Sequence, residues 1–191
     1  VLAGETVDPD LVDAVASLVD KSILIREEAD RTVRYRMLDT IREFGREKLE
    51  AVGESEALHR RHRDWYERLV LRARADWIGP RQVEWMTELD HEQPNLRAAL
   101  EFCMDETESV GHAMRTAGGL YTFWIVRGRF NEGRYWLDRA LRGNGGSTAD
   151  RIGALCVDSM LAALQTDASA AATLADDARQ LVEQSEWSGD P

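Results

Sequence analysis

The chain has 191 residues, of which 43% are hydrophobic and 31% are charged, and its formal net charge is −11 at pH 7. This length suffices for one large domain or two small ones, and a compact chain of this size is stable without disulfides or metals. The acidic balance argues against direct contact with nucleic acid, because lysine and arginine must neutralise the phosphates. No apolar run approaches the roughly 20 residues of a membrane span, so no membrane contact is expected.

The two cysteines, Cys103 and Cys156, each lie inside an apolar helical pattern. Such cysteines behave as small buried hydrophobic residues more often than as a disulfide pair or as metal ligands. We therefore expect both thiols to be buried and reduced, which favours a cytoplasmic protein.

The first part of the chain, residues 1–52, has the pattern of a helix, a hairpin and a second helix. The predicted helix, two strands and second helix lie at residues 8–20, 22–26, 33–37 and 39–52. Asp8 is expected to cap the first helix, Gly53 to end the last one, and the polar residues 27–32 to form a loop of about six residues. This order of elements is that of the C-terminal part of a winged-helix domain.

The rest of the chain has apolar residues at helical spacing. Residues 54–75 are predicted to form one long amphipathic helix. Further helices are predicted at residues 81–90, 94–106, 109–127, 130–142, 148–165 and 168–185. We interpret residues 53–90 as connecting helices and residues 91–191 as a helical array.

A basic cluster, residues 59–63, lies within the long helix. Its arginines fall on the solvated face, whereas His62 falls on the apolar stripe near Trp65 and Tyr66. The cluster is therefore expected to be the outer face of an amphipathic helix, with His62 packed in the core.

A helix–turn–helix pattern at residues 120–141 recurs in degraded form 38 residues later. Positions that are apolar or small in the first copy stay so in the second, as in the pairs Met114 and Ile152, Phe123 and Leu161, Val126 and Leu164, Gly133 and Ala171, Leu137 and Ala175, and Ala140 and Ala178. The turn departs from this rule, since Thr166 and Asp167 stand there in the second copy. Self-similarity at a fixed period indicates stacked hairpins.

The first copy resembles the tetratricopeptide repeat, which has an aromatic residue in its first helix, glycine at the turn and small residues in its second helix. The matching residues are Trp124, Gly128, Phe130, Gly133, Ala140 and Leu141. The predicted fold class is therefore mainly α. It comprises a partial winged helix with one β-hairpin, followed by an α-α superhelix of tetratricopeptide-like hairpins that the chain contains only in part.

Three segments in fixed order, residues 18–24, 34–45 and 92–100, extend the resemblance to nearly the whole chain. They look like the region after the nucleotide-binding domain in bacterial signal-transducing ATPases with numerous domains, particularly actinobacterial LuxR-type transcriptional regulators. The resemblance implies an upstream ATPase module, a winged helix that relays its state, and a helical array that senses effectors and self-associates. The 191 residues contain no GxxxxGK[ST] motif, so ATP or ADP is expected only in the upstream domain and no cofactor in this chain.

Related nucleotide switches carry a Met-His-Asp motif just after the winged-helix hairpin, and its histidine touches the phosphate of the bound nucleotide. The matching residues here are Met37, Leu38 and Asp39. Because leucine cannot donate that hydrogen bond, Leu38 is not expected to contact nucleotide, while Asp39 is expected to cap its helix.

A ligand groove is predicted in the helical array. Several aromatic residues of the repeat belong in the core, and the remainder can line a groove for a peptide or an anionic ligand together with arginines. The candidate groove residues are Tyr121, Trp124, Arg127, Arg134 and Tyr135.

We expect neither a catalytic nor a metal site. His112 lies near Ser109 and Asp105 in sequence, but at a helix junction without a glycine-rich elbow to present a nucleophile. Residues 90–92, Asp-His-Glu, are metal-ligand types, but neighbours on a helix point about 100° apart and cannot meet at one ion.

These patterns favour a non-catalytic regulatory segment of a multidomain ATPase transcriptional regulator. Its expected partners are an effector or a protein bound by the array, the upstream ATPase domain in the same chain, and a second copy. Two alternatives remain open: a free-standing peptide-binding adaptor and a DNA-binding winged helix. The predicted recognition helix at residues 8–20 has four aspartates and no basic residue, which argues against phosphate contact.

Overall fold

The computed structural model describes residues 9–29 and 32–188. Its elements in chain order are α1 (Pro9–Asp20), β1 (Leu24–Ala29), β2 (Thr32–Met37), α2 (Asp39–Ala51), α3 (Ser55–Ala75), α4 (Gln82–His91), α5 (Gln93–Asp105), a 3₁₀ turn (Thr107–Ser109), α6 (Val110–Gly119), α7 (Tyr121–Val126), α8 (Phe130–Arg142), α9 (Thr148–Leu164) and α10 (Ala168–Ser188). The prediction of a mainly α chain with one β-hairpin is confirmed. The chain divides into an N-terminal unit, residues 1–57, and a C-terminal unit, residues 58–191.

The hairpin of the N-terminal unit is longer than predicted. The antiparallel register runs from Leu24 opposite Met37 to Ala29 opposite Thr32. The expected six-residue loop was wrong, because Glu27 belongs to β1 and its carboxylate accepts a hydrogen bond of 2.9 Å from Arg36 Nε on β2. This cross-strand ion pair stabilises the polar face of the hairpin, while Val33, Tyr35 and Met37 form an apolar face on β2.

The ends of α1 and α2 were predicted in part. Asp8, the expected cap of α1, lies outside the described residues. Leu38, with φ −63° and ψ 144°, is the N-cap of α2 and makes no side-chain cap. Asp39 is the first helical residue and forms an ion pair of 2.8 Å with Arg42, so its predicted capping role was wrong. Gly53 follows α2 in the left-handed region, with φ 74°, as expected of a residue that ends a helix.

None of the described side chains of the N-terminal unit, at residues 10–28 and 33–57, is buried. Its large exposed hydrophobic residues are Leu11, Val12, Val33, Tyr35, Leu38, Phe44 and Val52. A helix and a hairpin with this much exposed apolar surface make few stabilising contacts. This unit therefore lacks a closed core of its own within the described residues.

The C-terminal unit has a continuous hydrophobic core. Its largest fully buried apolar side chains come from α3 to α9 and the residues joining them: Leu69, Val70, Leu89, Leu96, Leu100, Met114, Leu120, Phe123, Trp124, Leu137 and Leu161. His62 is half-buried, and its ring lies 4.6 Å from that of Tyr66, in agreement with its predicted place on the apolar stripe. Among the described residues, no helix combines the length and apolar character needed to cross a membrane.

The helix predicted at residues 109–127 is divided into α6 and α7. The break is at Leu120, with φ −81° and ψ 6°. It follows Gly119, where an added Cβ would lie 2.7 Å from Cγ1 of Val70 on α3. Glycine permits this close approach of α3, and it is also a poor helix former, so the same residue brings the helices together and weakens the helix.

The turns of the two C-terminal hairpins repeat at a spacing of 38 residues. Gly128, between α7 and α8, has φ 64°, and Thr166, between α9 and α10, has φ 62°. The residue after each turn donates to a carbonyl five positions back: Arg129 N to Trp124 O at 2.8 Å, and Asp167 N to Ala162 O at 3.0 Å. The backbone therefore follows the predicted spacing even where the turn residues differ.

Cys103 is buried as predicted, but Cys156 is exposed, which corrects the expectation for the second cysteine. Cys156 lies with Gly153 and Ala163 on the exposed face of α9. Periodicity identified an apolar helix here and could not indicate which of its faces lacks a neighbour.

Candidate functional site

Residues 37–39 form the junction between β2 and α2. Leu38 is 44% exposed, and Asp39 is also exposed. Leu38 has no polar side-chain atom, and the carboxylate of Asp39 is paired with Arg42. The charged side chains at this junction are therefore the exposed carboxylate of Asp39 and the guanidinium of Arg42 that pairs with it.

The structure corrects one of the five predicted groove residues. Trp124 is 1% exposed, and its Nε1 donates a hydrogen bond of 3.1 Å to the carbonyl of Ala117. Gly133 on α8 packs against the indole, since a Cβ at this glycine would lie 2.8 Å from Cδ1 of Trp124. Trp124 is a core residue, and its ring cannot line a surface groove.

Two further groove candidates, Tyr121 on α7 and Arg127 at the α7–α8 turn, contact neighbouring helices. Tyr121 is half-buried beneath the guanidinium of Arg74 on α3, 5.8 Å from the ring centroid. Arg127 forms an ion pair with Asp90 on α4, and Arg129 lies 3.7 Å from the same carboxylate. These arginines therefore join the α7–α8 turn to α4.

Arg134 and Tyr135, which are adjacent on α8, face different neighbours. Arg134 Nη1 donates to Oε1 of Gln165 at 3.0 Å and to Asp167 at 3.2 Å, at the turn after α9. Tyr135 is 49% exposed and accepts a hydrogen bond of 2.9 Å from Arg139. The five predicted residues thus have separate surroundings, and the structure does not gather them into one groove.

A buried ion network that the sequence did not reveal joins α3, α6 and α9. Glu67 on α3, which is 7% exposed, contacts Arg115 Nε and His112 Nδ1 of α6, each at 2.5 Å. Arg115 Nη1 also donates to Asp150 on α9 at 2.9 Å. Burial acts to raise the pKa of Asp150, but hydrogen bonds from Ser147 and Arg115 outweigh it and hold that pKa below its ordinary value.

A second part of the network lies at the end of α5. The Ser109 hydroxyl donates a hydrogen bond to the Glu106 carboxylate. This bond, together with the nearby positive charges of Arg60 and Arg63 on α3, lowers the pKa of Glu106. Ser109 is fully buried and bonds to Glu106 and Arg63, whereas His112 bonds to Glu67. The Ser109 hydroxyl and the His112 imidazole therefore have separate hydrogen-bond partners. The carboxylates that they contact also pair with arginines of neighbouring helices.

Three side chains of this network have a geometry that would suit a metal ion. One ligand atom each of Asp64, Glu67 and His112 lies within 4.8 Å of the others. Two carboxylates and an imidazole are ligands for zinc or iron. However, Arg63 is paired with Asp64 at 2.8 Å and Arg115 with Glu67, so an ion would have to displace two arginines. The arrangement is accounted for by ion pairs.

A buried carboxylate lies between α8 and α9. Asp158 is 0% exposed, and neither of its oxygens has a hydrogen-bond donor, although Arg134 Nε is 3.4 Å from Oδ1. Burial raises the pKa of Asp158 to about 6, and the negative charge of Asp138 adds to the shift. The local pattern does not mark this residue, because Asp158 is one polar position in an otherwise helical pattern.

Over its whole length the chain is 34% identical to proteins from Mycobacterium tuberculosis (strain ATCC 25618 / H37Rv) and Mycobacterium bovis (strain ATCC BAA-935 / AF2122/97), each named "Putative HTH-type transcriptional regulator". The chain resembles a section of these proteins. It spans 22% of the length of each curated relative. No family model matches the chain, and no solved structure matches it.

Proposed function

We propose that this chain is a non-catalytic regulatory segment of a multidomain bacterial transcriptional regulator. The observation that carries the proposal is its similarity, over the full 191 residues, to about a fifth of relatives that are named as transcriptional regulators. The length of those relatives favours this role over that of a free-standing adaptor.

The finer parts of the proposal rest on the sequence resemblance. An upstream ATPase module of the LuxR-type regulators would bind the nucleotide, residues 1–52 would complete its winged helix, and tetratricopeptide-like hairpins in residues 91–191 would bind an effector or a protein in the cytoplasm. An effector that binds the array can shift such a switch only if it binds one state of the regulator more tightly than the other. The repeated turns at Gly128 and Thr166 support a stacked-hairpin interpretation of the array.

The proposal is tested in the full-length regulator with a transcriptional reporter. Gly133→Leu places a branched side chain between α8, Leu161 and Trp124, and is expected to abolish regulated transcription. The control, Gly153→Ala, adds a methyl group where no atom lies within 4 Å and is expected to leave the response unchanged. A normal response of the Gly133→Leu protein, at equal protein level, contradicts a regulatory role for this segment.

The DNA-binding alternative has a separate test. The purified chain is titrated with duplex DNA at low salt, and no sub-micromolar binding is expected, because the described part of α1 has acidic residues and no basic one. Tight binding that weakens steeply with added salt would establish the alternative.

A further inference from the structure

The charged side chains of α9 point toward its neighbours in the array. Among residues Thr148–Leu164, all of which the structure describes, the charged ones are Asp150, Arg151 and Asp158. Asp150 accepts a hydrogen bond of 2.9 Å from Arg115 on α6, and Arg151 donates to two backbone carbonyls at the end of α8. Asp158 is fully buried. This arrangement is the reverse of an ordinary surface helix, whose charged residues face solvent.

The outward side of α9 is an apolar stripe at helical spacing. It consists of Ala149, Ile152, Cys156, Met160 and Ala163, which we call the α9 outer face. Ala149, Cys156 and Ala163 are exposed, and Ile152 and Met160 are half-buried. Because a surface helix normally directs polar residues to solvent, a continuous apolar stripe there indicates a contact surface.

The same face of α6, one repeat earlier, is covered. A shift of 38 residues maps Ala149, Ile152 and Cys156 onto Gly111, Met114 and Gly118. All three α6 residues are buried, and α6 packs against α9, the first helix of the next hairpin. A Cβ at Gly111 would lie 2.9 Å from Cα of Gly146, in the turn before α9, and 3.2 Å from Oδ2 of Asp150. The face with which α6 holds the next hairpin is thus the face that α9 leaves open.

Gly153 lies at the edge of the α9 outer face. Its equivalent in α6 is Arg115, whose side chain stays 36% exposed beside α9. A side chain at this position is therefore compatible with a following helix, and Gly153→Ala keeps the neutral effect expected of it as a control.

We propose that the α9 outer face packs against the first helix of a further hairpin, supplied by residues that follow this chain in the full-length regulator. This helix packs on α9 as α9 packs on α6, with apolar residues against Cys156. Because α10 continues to Ser188, it begins later than a strict 38-residue spacing would place it.

Continuity with the α6–α9 contact favours this occupant over a second copy, because that contact joins consecutive hairpins of one chain. The curated relatives are long enough to contain a further hairpin, since the chain spans 22% of their length. This inference rests on the proposed role of the chain as a segment of a longer regulator, and it identifies the surface on which the array continues.

The thiol of Cys156 reports whether the α9 outer face is covered. The full-length regulator is treated with N-ethylmaleimide, and modification of Cys156 is followed over time by peptide mass spectrometry, in buffer and in urea. A packed helix is expected to slow the reaction of Cys156 in buffer about tenfold or more relative to urea. Equal rates in buffer and in urea overturn the proposal.

Cys103 is the internal reference for folding. It is 1% exposed, and burial raises the pKa of its thiol to about 12, so it reacts slowly wherever the C-terminal unit is folded. A regulator that ends at Pro191 should keep Cys103 slow and return Cys156 to its rate in urea. Protection of Cys156 that survives this truncation assigns the face to another domain, and protection that disappears on dilution assigns it to a second copy; either result overturns the proposal.

Ala163→Glu tests the same face without removing the thiol. It places a charge at an exposed position of the α9 outer face, and in the full-length regulator it is expected to speed the reaction of Cys156 several-fold by displacing the packed helix. The matched control is Ala175→Glu, at an exposed alanine of α10, which should leave the rate of Cys156 unchanged. An unchanged rate in Ala163→Glu contradicts the proposal. The reporter test of Gly133→Leu does not depend on what covers α9, so the two proposals can fail separately.

Discussion

Among single residues, Asp158 is a fully buried carboxylate whose oxygens accept no hydrogen bond. It stands 38 residues after Leu120, so a carboxylate occupies the position that an apolar core residue has in the preceding hairpin. Both residues are at most 1% exposed. A buried charge without hydrogen bonds is destabilising, and the ion pair with Arg134 offsets only part of that cost.

The pH dependence of stability should reveal this carboxyl group. Its folded pKa of about 6 lies above the ordinary value of 3.8, so the folded state binds the proton more tightly and gains stability as the pH falls through 6. Between pH 7 and pH 5 the free energy of unfolding of the wild type should rise by about 1.4 kcal/mol relative to Asp158→Asn. Urea denaturation at the two pH values measures this difference, and a constant difference would contradict it.

Single-residue expectations succeeded where local sequence decides the outcome. The left-handed turn at Gly128 and the end of α2 at Gly53 followed from glycine itself. The burial of Trp124 depends on Gly133 of another helix, and the network around Glu67 joins residues about 45 positions apart. Such contacts have no local pattern in one sequence, so the burial of Trp124 was not predicted and the ion network was missed.

Among the helices, one close crossing is at Gly133 on α8. A Cβ there would lie 2.7 Å from Cδ1 of Leu161 on α9 and 2.8 Å from Cδ1 of Trp124 on α7. Three helices therefore meet at one position where a side chain is absent. The repeat pattern predicted a small residue at this crossing for the same physical reason.

Two glycine substitutions on neighbouring helices should have opposite effects. Gly133→Ala is expected to lower the free energy of unfolding by about 1–3 kcal/mol, because the core must shift to admit the methyl group. Gly153→Ala in α9 meets no atom within 4 Å and is expected to raise it by up to about 1 kcal/mol through helix propensity. Thermal and urea unfolding of both variants measure the effects. Equal stability of Gly133→Ala and wild type would contradict the close crossing.

Helices were predicted more accurately than the hairpin. Helical spacing of apolar residues extends over three or more turns, so the bounds of α3, α8 and α9 agree with the prediction within about two residues. The strand β1 carries charged residues on both faces, with Arg26 and Glu28 on one and Glu27 on the other, so alternation along β1 could not show where the hairpin ends. Its extent depends on cross-strand pairing, which a scan along one strand does not detect.

At the scale of the whole molecule, the two units differ in how their apolar residues are covered. The described side chains of the N-terminal unit are all at least partly exposed, whereas the C-terminal unit has a continuous core from α3 to α9. Because burial of apolar surface is the main source of folding stability, the two units should differ greatly in local stability.

Hydrogen exchange followed by mass spectrometry should show this difference. Amides of α1, β1, β2 and α2 are expected to exchange at least a hundredfold faster than those of α6, α8 and α9. Limited proteolysis should accordingly cut within residues 1–57 first and leave a resistant fragment from the C-terminal unit. Equal protection across both units would show that the N-terminal unit is stabilised by more than its own packing.

The turns at Gly128 and Thr166 show that the same left-handed backbone can be formed with and without glycine. Threonine in the left-handed region costs about 1–2 kcal/mol relative to a residue with ordinary dihedral angles, yet α9 and α10 keep the same reversal as α7 and α8. Packing of α9 against α8 and α10 offsets that cost. The helices on either side of a turn can therefore hold the chain reversal in place even where the residue at the turn disfavours it.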